Sequence, residues 1–218
     1  MQSTVMRVLI PFFIFCVTVL WMFIGVSSAI DVKLTMDEAK KALAAGRDPM
    51  EAANNPDEVK KIVQQAAITT RVGADPEKDP CGPNALLRTK RYWLESFGRQ
   101  EATESKKQKR EVRMPEDKIQ KILDMPNLEL SIQLCGDDEY FAEGVQVALQ
   151  QGTKTIKPVD VSPADKGRKN EGQIPGYRSR FTARFAYDTF DPNAKTKVQI
   201  YFQDGKMLEF DTDLSKVK

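Results

Sequence analysis

The chain contains no histidine. Histidine is the one side chain whose ordinary pKa makes it a ready proton carrier near neutrality, and it is the commonest metal ligand. Its absence excludes Ser-His-Asp and Cys-His nucleophile systems and any His-ligated zinc, copper or haem built from this chain alone. The sequence also has no C-x-x-C pair, no G-x-S-x-G and no glycine-rich phosphate loop, so thiol redox catalysis and nucleotide handling have no local support. Net charge is only +2 over 218 residues, so no global field argues for nucleic acid. No cofactor is expected. Paired carboxylates are the catalytic chemistry that survives, because glycoside hydrolysis needs only two acidic residues at the right separation. With 31 Asp and Glu, the sequence cannot select such a pair.

What is present begins with a long apolar run. Val8 to Val26 holds 19 residues without a charge, preceded by Arg7 and followed by Ser27-Ser28-Ala29. A basic start, an apolar middle and small residues before a cut after Ala29 make an export segment over 1–29. It reads as a cleaved signal peptide or as an uncleaved anchor, since the run nearly spans a ~30 Å hydrocarbon core. Arg7 on the inner side places the remaining chain outside, periplasmic or extracellular, under either reading. The missing Asn-x-Ser/Thr acceptor site favours a bacterial envelope over a eukaryotic secretory route. Cys16 lies in the apolar run, and the other two cysteines, Cys81 and Cys135, make an even pair in an exported chain, which predicts a disulfide. Closing a loop of that length stabilises by roughly 4 kcal/mol in the chain-entropy model.

Residues 30–125 read as helical and loop-rich. Thr35-Met-Asp-Glu38 is a capping box, and Gly46 is positioned to end its helix. Asp48-Pro49 and Asn55-Pro56 each offer a cap followed by proline at the first helical position, and the second leads a stripe of Val59, Ile62, Val63 and Ala66. Asn84 to Phe97 fits a third helix, with Leu86, Leu87, Trp93, Leu94 and Phe97 inside a ~120° arc and Gly98 as its stop. Residues 100–113 read as a charged linker, and Pro115 to Asp124 as a short helix with Ile119, Ile122 and Leu123 inward.

From residue 126 the period changes to two. Leu128, Leu130, Ile132 and Leu134 alternate with polar residues, and so do Val145, Val147 and Leu149. Thr155–Val161, Tyr177–Tyr187, Val198–Phe202 and Leu208–Leu214 complete six short strands, with a polar loop over 162–176. The expected class is α+β: an export helix, a small helical segment and, over 126–218, an antiparallel β-sandwich of immunoglobulin-like kind. The last hairpin predicts its own register. Only a three-residue loop, Gln203-Asp204-Gly205, pairs Ile200 with Leu208 and Val198 with Phe210 while matching Lys197 to Asp211 and Lys195 to Asp213.

Two basic clusters are candidate binding sites. Arg178, Arg180 and Arg184 share one strand face, and arginine forks suit phosphate and carboxylate groups. The competing reading is a solvated face paired with acids on neighbouring strands. Lys106, Lys107, Lys109 and Arg110 lie in a stretch, 88–113, with nine basic and four acidic residues, which would favour an anionic surface. Asp137-Asp138-Glu139 and Glu143 lack the spacing of a calcium loop and read as a turn. The expected function is a non-catalytic envelope module binding a partner protein or an anionic glycan or lipid surface, with no nucleic acid. The alternatives are a carboxylate-dependent enzyme acting on glycans and, if the anchor stays, a single-pass subunit of an envelope assembly.

Overall fold

Thr35 caps the first helix as its sequence requires. Its hydroxyl accepts the Glu38 amide at 3.3 Å, and the Glu38 carboxylate accepts the Thr35 amide at 2.8 Å. The structure is a computed structural model that describes residues 30–172 and 174–214; the export segment predicted over 1–29 lies outside them. Among the described residues no helix is long and apolar enough to cross a membrane.

Helix α1 runs Met36–Ala52, so Gly46 does not end it and Pro49 lies inside it. Helix α2 (Pro56–Thr69) starts where expected, with the Asn55 side chain accepting the Glu58 amide at 2.9 Å. Its apolar stripe is only partly covered: no α2 residue is buried, Val59, Ile62 and Ala66 are half-buried, and Val63 is 48% exposed. The helix expected from Asn84 is a strand first. Strand β1 (Arg71–Gly73) pairs antiparallel with β2 (Asn84–Arg88), and helix α3 (Lys90–Gln108) follows, capped by Thr89. The expected charged linker is therefore largely the second half of α3. Gly98 sits inside this helix.

The two misread glycines share one cause. A Cβ on Gly46 would lie 2.0 Å from the Glu95 carbonyl oxygen, and one on Gly98 would lie 2.0 Å from that of Leu43. They are close-approach points where α1 and α3 touch backbone to backbone, not helix stops. Around them Ala39, Ala42, Leu43 and Leu94 pack with Ile119 and Ile122 of α4 (Glu116–Leu123), forming the helical core. Trp93 and Phe97 pack on its edge.

The rest is two antiparallel sheets. The first takes β2 onto β3 (Asn127–Gly136), then β8 (Tyr177–Ala186), then β6 (Asp160–Val161), with β1 outside β2 and β7 (Arg168–Lys169) also on β8. The second has the order β10-β9-β4-β5, from Met207–Asp213, Lys195–Tyr201, Gln146–Gln151 and Lys154–Ile156. The expected strand 155–161 is thus split between the sheets, and Pro158, which has no amide to donate to a ladder, stands at the crossover. The last hairpin has the predicted register, with Ile200 opposite Leu208, Lys197 opposite Asp211 and Gly205 at φ +84°. Leu87, Leu130, Ile132, Phe181, Phe185, Val198 and Ile200 fill the space between sheets. The Cys81–Cys135 disulfide forms, tying the turn before β2 to the end of β3.

Candidate anion-binding face

Strand β8 alternates as a half-buried strand must. Ser179, Phe181, Ala183 and Phe185 are buried, so Arg178, Arg180, Thr182 and Arg184 face outward. The β3 ladder then decides what each arginine meets, because it sets Arg184 opposite Glu129, Arg180 opposite Gln133 and Arg178 opposite Cys135.

The two ends of the row differ. Arg184 donates to Glu129 at 2.9 Å and also bonds Asp160 on β6, which holds its guanidinium charged; its pKa is raised chiefly by the Glu129 hydrogen bond. Arg88 completes this end, with its guanidinium 3.9 Å from Glu129 and 5.5 Å from the Trp93 ring centroid. Here the expected pairing with acids on neighbouring strands holds.

The other end has arginines without carboxylate partners. Arg180 donates to the Gln133 amide oxygen at 3.0 Å, Arg178 to that of Asn170 at 3.0 Å, and Arg71 to that of Asn84 at 2.7 Å. Gln133 and Asn84 are themselves buried. Arg178 Nε is buried and meets no acceptor among the described residues. A guanidinium has five N–H donors, and a neutral amide oxygen satisfies a bond without cancelling the charge. The consequence is felt at Arg71: burial first, and then the charge of Arg180, push its pKa down, against a smaller opposing pull from Asp75.

A second strand edge encloses this end. The chain over 162–170 runs along β8: the Ser162 amide bonds the Thr182 carbonyl, the Asp165 amide that of Arg180, and β7 then places Arg168 opposite Arg178. Between them lies a cavity of about 360 Å³, lined by Gln133, Arg168, Lys169, Asn170, Arg178 and Arg180, with Asp165 and Ser179 at its wall. Of its cations, Arg168, Arg178 and Arg180 share one face, whereas Lys169 is opposite Tyr177 and lies on the other; the lining has one carboxylate. The disulfide braces the rim, since Asn170 Nδ2 lies 3.4 Å from Cys81 Sγ and Cys135 is the β3 partner of Arg178.

The second sequence candidate is elsewhere. Lys106 and Lys107 lie in the last turn of α3, Lys109 is its left-handed cap at φ +53°, and Arg110 bonds Gln108. Lys106 Nζ donates to the carbonyls of Met50 and Ala53, both at 2.7 Å, and so closes the C-terminus of α1. The acidic run is a turn, in which Asp138 accepts the Tyr140 amide at 2.8 Å and Glu139 pairs with Lys166 at 2.9 Å. Among the described residues no group of three or more potential ligands could hold a metal ion. Arg71 and Arg168 escape the sequence pattern, because a three-residue strand and an irregular loop carry no readable period.

No family model and no curated protein matches the chain. Among solved structures it is similar to IgNAR antibody domain C1, at 13% identity and a TM-score of 0.28, over 47% of this chain and 84% of that one.

Proposed function

We propose that this chain is an exported, non-catalytic module whose sandwich binds an anionic polymer of the cell envelope on the outer face of the β3–β8 sheet. The observation that carries the reading is the set of arginines, Arg71, Arg178 and Arg180, held by neutral amides rather than carboxylates. Holding these guanidinium groups on one sheet face with no carboxylate hydrogen-bonded to them costs folding free energy, although Asp75 acts on Arg71 and Asp165 lies beside Arg180, and a bound anion would offset that cost. Export is supported by the uncharged run Val8–Val26 and by the disulfide, which belongs to oxidising compartments. The segment over 1–29 is read as a signal peptide or an anchor of the inner membrane. The sandwich is read as immunoglobulin-like on its strand order: β2-β3-β8-β6 and β10-β9-β4 match the four-plus-three arrangement of that fold, with β5 as an added edge.

The non-catalytic part of the reading rests on the missing histidine, which excludes Ser-His-Asp and Cys-His nucleophile systems.

The test is retention of the full chain, in uncharged detergent, on an immobilised anionic polymer across a salt series. Retention that weakens with salt and is lost in the R178Q/R180Q variant is expected. Equal retention of that variant, or hydrolysis of the polymer, overturns the reading.

A further inference from the structure

We infer that the cavity between β7 and β8 is a subsite for a phosphate monoester group carried by such a polymer. The inference rests on the proposed polymer-binding reading and names the group recognised.

Arg168, Arg178 and Arg180 share the face that bears the cavity, against the single carboxylate of Asp165, a local charge of +2; Lys169, opposite Tyr177, belongs to the other face. A carboxylate ligand brings one negative charge and leaves half of that charge unmatched. A phosphate monoester brings about −1.5 to −2 and three free oxygens. The donors fit three oxygens better than two: Arg178 and Arg180 each spend one side-chain bond on an amide, Arg178 Nε has no partner among the described residues, and Arg168 has no ion pair among them. Arg168 and Arg178 are opposed across the β7–β8 ladder, so their side chains approach the ligand from two strands. Asn170 and Gln133 supply neutral amides that fix the forks, and the disulfide beside Asn170 fixes the rim. Arg184, on the same strand face, is outside this subsite because Glu129 and Asp160 already occupy it.

The experiment is a calorimetric titration of the full chain in uncharged detergent with three probes: inorganic phosphate, glycerol 3-phosphate and acetate. Both phosphates are expected to bind at least about tenfold more tightly than acetate. R180Q and R168Q change exposed side chains, and each is expected to weaken phosphate binding by about tenfold, whereas R184Q leaves it within about twofold. A melting curve for each variant confirms that it is folded. Equal binding of acetate and phosphate overturns the assignment, and so does a loss in R184Q as large as that in R180Q. Vesicles of neutral lipid with and without phosphatidic acid provide the remaining arm. Binding to the acidic vesicles with no response to soluble phosphate assigns the cations to a lipid surface and overturns the proposal. Retention on a polycarboxylate column without any phosphate response removes the subsite but leaves polymer binding standing; loss of both removes the reading on which it rests.

Discussion

Replacing Gly98 with alanine sets two effects of known size against each other. In an ordinary helix interior alanine is better than glycine by about 1 kcal/mol, so propensity alone makes G98A stabilising. The structure reverses the sign. The new Cβ would stand 2.0 Å from the Leu43 carbonyl oxygen and 3.0 Å from the Arg47 amide nitrogen, both backbone atoms that cannot rotate away. Ordinary contact at that oxygen requires more than 1 Å of extra separation between α1 and α3, which loosens Leu43 against Leu94 and Ala39 and Ala42 around them. Overpacking of this kind costs about 1–3 kcal/mol, with more where backbone must move. The net expectation is destabilisation by about 1–2 kcal/mol, a fall in Tm of roughly 3–6 °C for a chain of this size. Urea denaturation monitored by the far-UV helix signal and by Trp93 fluorescence reads it directly. G46A, whose Cβ meets the Glu95 carbonyl at 2.0 Å, is expected to behave alike, and the double variant to fall short of additivity because one separation relieves both clashes. A Tm that rises in G98A refutes the close crossing of α1 and α3.

Removing the Cys81–Cys135 bond by C81S/C135S lifts a cross-link between residues 54 apart, and stability is expected to fall by roughly 4 kcal/mol, measured by chemical denaturation against the oxidised protein. Because Asn170 leans on Cys81, the same variant should also weaken phosphate binding; unchanged affinity in a folded variant would show that the rim does not need its brace. Stability against pH has a defined shape. Glu38, held down first by the Thr35 backbone bond, and Glu116, Glu139, Asp204 and Glu209, held down first by bonds to Lys40, Lys166, Lys206 and Lys197, contribute stability that is present above their unfolded pKa and lost as pH falls through the folded one. The same four lysines are raised, so their share is present up to their unfolded pKa and lost as pH rises through the folded values. Burial lowers Lys90, whose share moves the other way, increasing as pH climbs from its folded to its unfolded pKa. With no histidine, Tm should be nearly flat between about pH 6 and 8 and fall in acid; a step of several degrees inside that window contradicts the assignment.

The sequence is legible where two independent patterns agree. Thr35 with Glu38 and Asn55 with Pro56 are local signals read at one spot, and the hairpin register follows because apolar and charged faces fit in only one alignment. Reading fails where one pattern serves two structures. Leu86 and Leu87 fit a helical arc, yet Leu87 belongs to the sandwich core opposite Leu130, and Thr89 caps the true helix. Gly46 and Gly98 have the composition of stops because close packing and termination both ask for a missing Cβ. The arginine row is visible from its period of two, but its division into a neutralised half and an uncompensated half is not. That division depends on Glu129, Gln133 and Asp160 arriving from other strands, and Arg71 and Arg168 reach the face through pairing with β2 and β8.

The claim that one half of this face is an anion site is tested most directly by arginine-selective dicarbonyl modification, read residue by residue by mass spectrometry with and without a saturating phosphorylated polymer. Protection of Arg178 and Arg180, with Arg184 and Arg88 unchanged, is the predicted result. Uniform protection of all four, or protection confined to Arg184, would contradict it.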